Sequence, residues 1–194
     1  LTKTSAGTLI VSGNNTYTGG TILTSGPLRA ASSGALGAAG QTLTLNGGTL
    51  ELGSDTALTT KTVVIGANAA ITLDRATFGA GLTTTLGNLT STSGSRTLTF
   101  ARGSNVVGAT TLAFNGTSLA LGGQTTTFAV GANAIVDLSG GGLLTGAQTV
   151  SIVKSDAGTL ILGEYGNWDG GNNTSLSGGT LELRGVMGDS GNFR

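Results

Sequence analysis

Apolar and small polar residues alternate along this chain in short runs, and the runs end at glycine or asparagine. Thr42-Leu43-Thr44-Leu45 is followed by Asn46-Gly47-Gly48 and then by Thr49-Leu50-Glu51-Leu52. The same shape recurs at Leu112-Ala113-Phe114, Asn115-Gly116 and Ser118-Leu119-Ala120-Leu121. It returns at Phe128-Ala129-Val130, Gly131-Ala132-Asn133 and Ile135-Val136-Asp137-Leu138. A two-residue period predicts strands with one buried face. Glycine and asparagine at the corners tolerate positive φ and let the chain turn sharply. Pro27, after Gly26, fits a turn and spares the ladders. No segment carries a helical period.

Longer repeats lie on top of this pattern. Lys3-Thr4-Ser5-Ala6-Gly7-Thr8-Leu9-Ile10-Val11 returns as Lys154-Ser155-Asp156-Ala157-Gly158-Thr159-Leu160-Ile161-Leu162, an offset of 151. Gly66–Leu73 returns at Gly131–Leu138, an offset of 65, and Gly47–Leu52 at Gly178–Leu183, an offset of 131. Read as seven, three and six turns, these offsets give a coil of about 21 to 22 residues, within the range of stacked solenoids. The expectation is an all-β, single-chain parallel β-solenoid (β-helix) of about nine coils, a rod roughly 40 Å long. An antiparallel sandwich also has short, regularly spaced strands, but its strands run longer and it has no sequence repeats of this kind. A narrow interior stacked from Leu, Ile and Val accounts for an aromatic content of only 4%. The solenoid is expected over residues 1–184. Residues 185–194 lose the strand pattern and read as an irregular cap, linker or docking tail.

Composition removes many functions. Charged residues make up 9% of the chain, alongside 36 glycines and more than thirty threonines. No apolar run approaches the ~18 residues of a spanning helix, and the recurring Leu, Ile, Val and Phe argue against disorder. A net charge of zero with scattered Lys and Arg offers no stripe for nucleic acid. There is no Cys and no His, which removes disulfides, thiol nucleophiles, His-based triads and the usual zinc sites. Sugar hydrolysis needs two carboxyls ~5 to 10 Å apart, and only Glu164 and Glu182 approach a common register. Asp74-Arg75 reads as a solvated turn. Asp169-Gly170-Gly171-Asn172-Asn173 lacks the nonapeptide calcium pattern and reads as a plain turn. The expectation is a protein that is not an enzyme, with no catalytic, cofactor-binding or metal-binding residue. The opening Leu1-Thr2-Lys3 is no signal peptide, so an exported protein would be represented by a mature or excised segment.

One stretch resembles a known family. Gly7-Thr8-Leu9-Ile10-Val11-Ser12-Gly13-Asn14-Asn15-Thr16-Tyr17-Thr18-Gly19-Gly20-Thr21, continuing through Gly26 and Leu28, resembles the autotransporter-associated β-strand repeat. This element is also called the passenger-associated transport repeat, and it occurs in large bacterial surface proteins. Its residues in the first copy are Gly7, Thr8, Leu9, Asn14, Asn15, Thr16, Tyr17, Gly19 and Gly20. In the second they are Gly158, Thr159, Leu160, Trp168, Gly170 and Gly171, with Glu164-Tyr165-Gly166-Asn167-Trp168 replacing the usual Ser-Gly-Asn-Asn-Thr-Tyr stretch. The resemblance implies a right-handed parallel β-helix, export across the outer membrane of a Gram-negative cell, and a role in adhesion, aggregation or biofilm. It also implies a part for the motif in passenger translocation and folding. A quasi-one-dimensional fold suits that route, since each coil can template the next.

The expected function is a non-catalytic structural module, an adhesin or autotransporter passenger stalk at the cell surface or outside it. The alternative is a subunit of a self-assembling extracellular fibre, associating through solenoid ends or sides, because an open end presents unpaired backbone groups. A host or biofilm glycan or protein would be the receptor, with no nucleic acid, no cofactor and no membrane span of the chain's own. Glycan binding through Tyr17, Tyr165 and Trp168 is a remote reading, since aromatics at equivalent motif positions pack against a corner. Ice binding through Thr83-Thr84-Thr85 and Thr125-Thr126-Thr127 is another, broken by the intervening Ser104-Asn105-Val106-Val107.

Overall fold

A short strand has little stability of its own, and here most strands are paired by the strand of the same wall one turn earlier and one turn later. A computed structural model describes residues 1–92, 94–116, 119–120, 125–140, 151–163, 173–184 and 192–193. The described residues contain strands, turns and no helix. The chain is a parallel β-solenoid with three main walls.

The first wall stacks Thr2–Lys3, Thr21–Leu23, Thr42–Leu45, Thr62–Ile65, Leu89–Ser91 and Leu119–Ala120. The second stacks Leu9–Val11, Pro27–Ala30, Thr49–Gly53, Ala69–Asp74, Arg96–Arg102, Thr125–Val130, Ser151–Ser155, Asn173–Leu176 and Asn192–Phe193. The third starts later, with Thr83–Leu86, Thr110–Phe114, Ala134–Asp137, Thr159–Leu162 and Thr180–Leu183. Gly79–Ala80 and Val106–Val107 form a small two-stranded ledge between the second and third walls.

The ladder register stacks like on like. Leu28, Leu50, Ile71, Phe100 and Val130 are successive partners on the second wall, and all are fully buried. Leu23, Leu45 and Ile65 do the same on the first wall, and Leu112, Val136 and Leu160 on the third. Each such side chain contributes about 1.5–3 kcal/mol on burial.

Two expectations about the coil change. Among the described residues six turns open on the first wall, and nine is the strand number of the second wall alone. Coil length is also uneven. Ladder partners on the second wall lie 22 residues apart at Leu28 and Leu50, 29 at Ile71 and Phe100, and 30 at Phe100 and Val130, returning to 22 at Ser151 and Asn173. The central coils are longer because they add the ledge and the third wall. Their wider interior admits rings: Phe100 and Phe128 are fully buried and stack with centroids 6.2 Å apart.

The repeats consequently fall on different walls. Lys3 stands on the first wall and Lys154 on the second, while Leu9–Val11 is on the second and Thr159–Leu162 on the third. The offset of 151 is six coils and one wall, not seven coils. The offset of 65 is two coils and one wall, and that of 131 is five coils and one wall. All three share a phase shift because the repeated unit is a strand–corner–strand, which is indifferent to the wall it occupies.

Candidate functional site

The chain has only three lysines, Lys3, Lys61 and Lys154, and all three are buried. An ammonium leaves water at tolerable cost only when its protons are bonded. Lys154 Nζ donates to the carbonyls of Ser155, Asp156 (2.8 Å) and Gly178 (3.1 Å), joining its own corner to that of the next coil. Lys3 does the same one wall earlier, donating to Ser5 O and to Ser25 O at 3.0 Å. Lys61 reaches back a coil to Gly37 O (2.7 Å) and Ala38 O. Burial pulls the pKa of Lys61 and Lys154 below the ordinary lysine value, and nearby Asp156 partly offsets this for Lys154. Sequence reasoning treated these lysines only as scattered single charges. The usable signal was that Lys3 and Lys154 each open the repeated segment two positions before a corner.

The glycines beside these lysines are constrained by the stack. Gly26 has φ +70°, and a Cβ there would lie 2.6 Å from Ala6 O and still closer to Ser5 O. Gly179 repeats this at the Lys154 corner, with φ +70° and its Cβ position 2.9 Å from the carbonyl carbon of Ala157.

The other motif residues serve the same stacking. Asn15 Nδ2 donates to Ala35 O at 2.8 Å, and its backbone N–H donates to Gly34 O at 3.1 Å. The Asn14 side chain occupies the space over Gly34, where a Cβ would collide with it. Tyr17 is half-buried; its hydroxyl bonds Thr21 Oγ1 at 2.8 Å and its ring lies over Gly37 of the next coil. This ring is packed on a corner. Gly20, at φ +73°, has Thr42 O 2.7 Å from its Cβ position, whereas Gly7 and Gly19 face open space. Leu9 lies in the second wall and Thr8 just before it, with Thr16 exposed in the following loop. Gly158 N–H donates to Val130 O at 2.7 Å, ahead of Thr159 and the fully buried Leu160 on the third wall. Trp168, Gly170, Gly171, Tyr165, Glu164 and Asp169 lie outside the described residues.

Charge gathers at one edge of the second wall. Arg29 pairs with Glu51, its ladder neighbour, and with Asp74 Oδ2 one coil further on at 3.2 Å. Its Nη2 donates to Arg75 O at 3.0 Å. Asp74 also accepts from Asn105 N–H at 2.9 Å, so the network spans four coils. Asp74-Arg75 is therefore no solvated turn. The Asp74 side chain is only 5% exposed, in a place that Gly103 leaves open by lacking a Cβ. Arg75 turns the other way and pairs with Asp55 at 3.2 Å. Hydrogen bonds from Thr77 N–H and Oγ1, with Arg75 adding, hold the Asp55 carboxyl below its ordinary pKa.

Removing Asp74 leaves the half-buried Arg29 guanidinium with only Glu51 and Arg75 O and takes the acceptor from the Asn105 amide. Asp74→Ala is expected to lower unfolding free energy by about 1–3 kcal/mol, while Glu51→Gln at the more exposed contact costs less than about 1 kcal/mol. Urea titration checks the order, and equal losses would mean that the buried carboxylate carries nothing special.

Thr83–Thr85 stands on the third wall and Thr125–Thr127 on the second, so these triplets form no common rank. Glu182 pairs with Arg184 at 2.6 Å. Among the described residues no group of three or more His, Cys, Asp or Glu could hold a metal, and no helix is long and apolar enough to cross a membrane.

The recurring unit has a name. A model of the passenger-associated-transport-repeat matches residues 1–30 and 152–183. The chain carries this repeat twice. Among the described residues each copy has four strands and opens on a buried lysine, with the first on the first and second walls and the second on the second and third. A 55-residue stretch is 51% identical to Adhesin BmaC autotransporter of Brucella suis biovar 1 (strain 1330). That stretch is 28% of this chain and 2% of the adhesin, so the chain spans a small fraction of this relative's length. No solved structure matches the chain.

Proposed function

We propose that this chain is a non-catalytic structural module in the passenger of a secreted bacterial surface protein, holding other parts of that protein away from a Gram-negative cell. The observation that carries this reading is the passenger-associated transport repeat at two places in one continuous solenoid, each locked by a buried lysine. A stacked parallel ladder suits a spacer, because each coil needs contact only with its neighbours. Adhesion or aggregation is the finer reading, and it rests on the adhesin name of the relative. Electron microscopy across a range of concentrations tests the proposal. Short single rods at every concentration are the expected result. Filaments with a ~4.8 Å axial repeat would replace the spacer with a self-assembling fibre subunit.

A further inference from the structure

The third wall begins in the middle of the molecule. Among the described residues its first strand, Thr83–Leu86, has a ladder neighbour on one side only, Thr110–Phe114. The coil before it takes a shorter path. From Gly53 to Val63 the chain uses ten residues, whereas from their partners Asp74 to Leu89 it uses fifteen. The solenoid therefore steps outward here, and the step presents a strand edge.

Hydrogen-bond directions show which groups line that edge. Leu82 O and Leu86 O accept from Thr111 N–H (2.9 Å) and Asn115 N–H (3.0 Å) in the following coil. Gly87 N–H donates the other way, to Lys61 O in the preceding coil, at 2.8 Å. Alternation along a strand places the N–H and C=O of Thr83 and Thr85 on the same side as Gly87. Among the described residues no backbone hydrogen bond reaches them from the preceding coil.

The short strand Gly79–Ala80 on the same step is guarded. Arg75 Nη1 donates to Ala80 O at 2.9 Å and its Nε to Thr77 O at 3.3 Å, with Asp55 holding the guanidinium. Such charged covers are how proteins blunt open edges. Thr83-Thr84-Thr85-Leu86 has neither a charge nor a proline. Thr83 is exposed, and Phe78 on the ledge leading into this strand is 74% exposed.

We propose that the Thr83–Leu86 edge is a strand-addition site, taking an extended segment of another polypeptide. The unpaired groups of Thr83 and Thr85 specify an extended backbone. The absence of charge on the strand favours an uncharged segment of alternating small and apolar side chains, and Phe78 offers such a segment an apolar contact.

Hydrogen exchange on the whole chain, with and without a synthetic peptide of residues 109–115, tests this. That peptide contains the strand that already pairs with Thr83–Leu86 from its other side. In the free chain Thr83 and Thr85 amides should exchange quickly while those of Thr84 and Leu86 are protected. The peptide should slow Thr83 and Thr85 about tenfold or more, and Thr85→Pro, which removes only an outward N–H, should abolish the effect. Protection of Thr83 and Thr85 in the free chain, or no response to the peptide, would overturn the site. Protection that rises with protein concentration alone would give the edge to a second copy and overturn the foreign segment. The wild-type measurement decides even if the proline variant does not fold.

Discussion

Lys154→Met is expected to cost about 2–4 kcal/mol of stability. Methionine fills the volume of the lysine stem but offers no proton to Ser155 O, Asp156 O or Gly178 O. Part-buried carbonyls that lose a donor cost at most about 1–3 kcal/mol each. Removing the ammonium relieves the burial penalty that lowers its pKa, so the net loss is smaller than the sum over three acceptors. The sign of the pH dependence follows from the same shift. The pKa of Lys154 in the fold lies below the free value of 10.5. Between the two values the unfolded chain holds more protons, so wild-type stability gains with rising pH from this group. The methionine variant lacks that gain. Urea titrations near neutral pH and near pH ~10 read both effects. A variant as stable as wild type would show that the desolvation cost cancels the bonds and that the lysine locks nothing.

Gly26→Ala is the second large loss, on the order of 3 kcal/mol or more. Its left-handed backbone costs an alanine about 1 kcal/mol or more, and its Cβ would sit 2.6 Å from Ala6 O. The colliding atoms belong to the backbone of the corner in the preceding coil, which lies between two ladder strands and is tied down by Lys3 at Ser5 O, so relief requires that corner to move away from the stack. Gly7→Ala is the matched control, because nothing lies within 4 Å of its Cβ position and its φ is ordinary. It should be neutral or stabilising by roughly 0.4–1 kcal/mol. Thermal melts of the two variants separate these outcomes. A Gly26→Ala protein that melts with wild type would mean the coils slide past one another easily, contrary to a locked stack.

Much of the fold was legible before any coordinate. Thr42–Leu45 and Thr49–Gly53 are strands flanking a glycine corner, as their alternation predicts. The repeated segments beginning at Lys3 and Lys154 do form one recurrent unit. Gly20 and Gly26 stand at positive φ, which few other residues tolerate and which their place at corners suggests, whereas Asn15 acts through a hydrogen bond to another coil that its position in sequence does not show. Asp74 was misread because adjacency in sequence says nothing about Arg29, 45 residues away. The buried lysines were missed for the same reason, since their partners include carbonyls of another coil.

The sequence alone determined the strands, their corners and the tendency to stack, because these depend on local alternation and on backbone freedom at single residues. Which wall each unit occupies, how many residues close a coil, which charges are buried and where the third wall begins were decided only by tertiary structure. The physical reason is that a strand's position in a solenoid depends on the path length of the sides preceding it. After the coils of 29 and 30 residues, the units at Phe128–Leu138 and Lys154–Leu162 stand one wall further on than the units they repeat, with their local pattern unchanged.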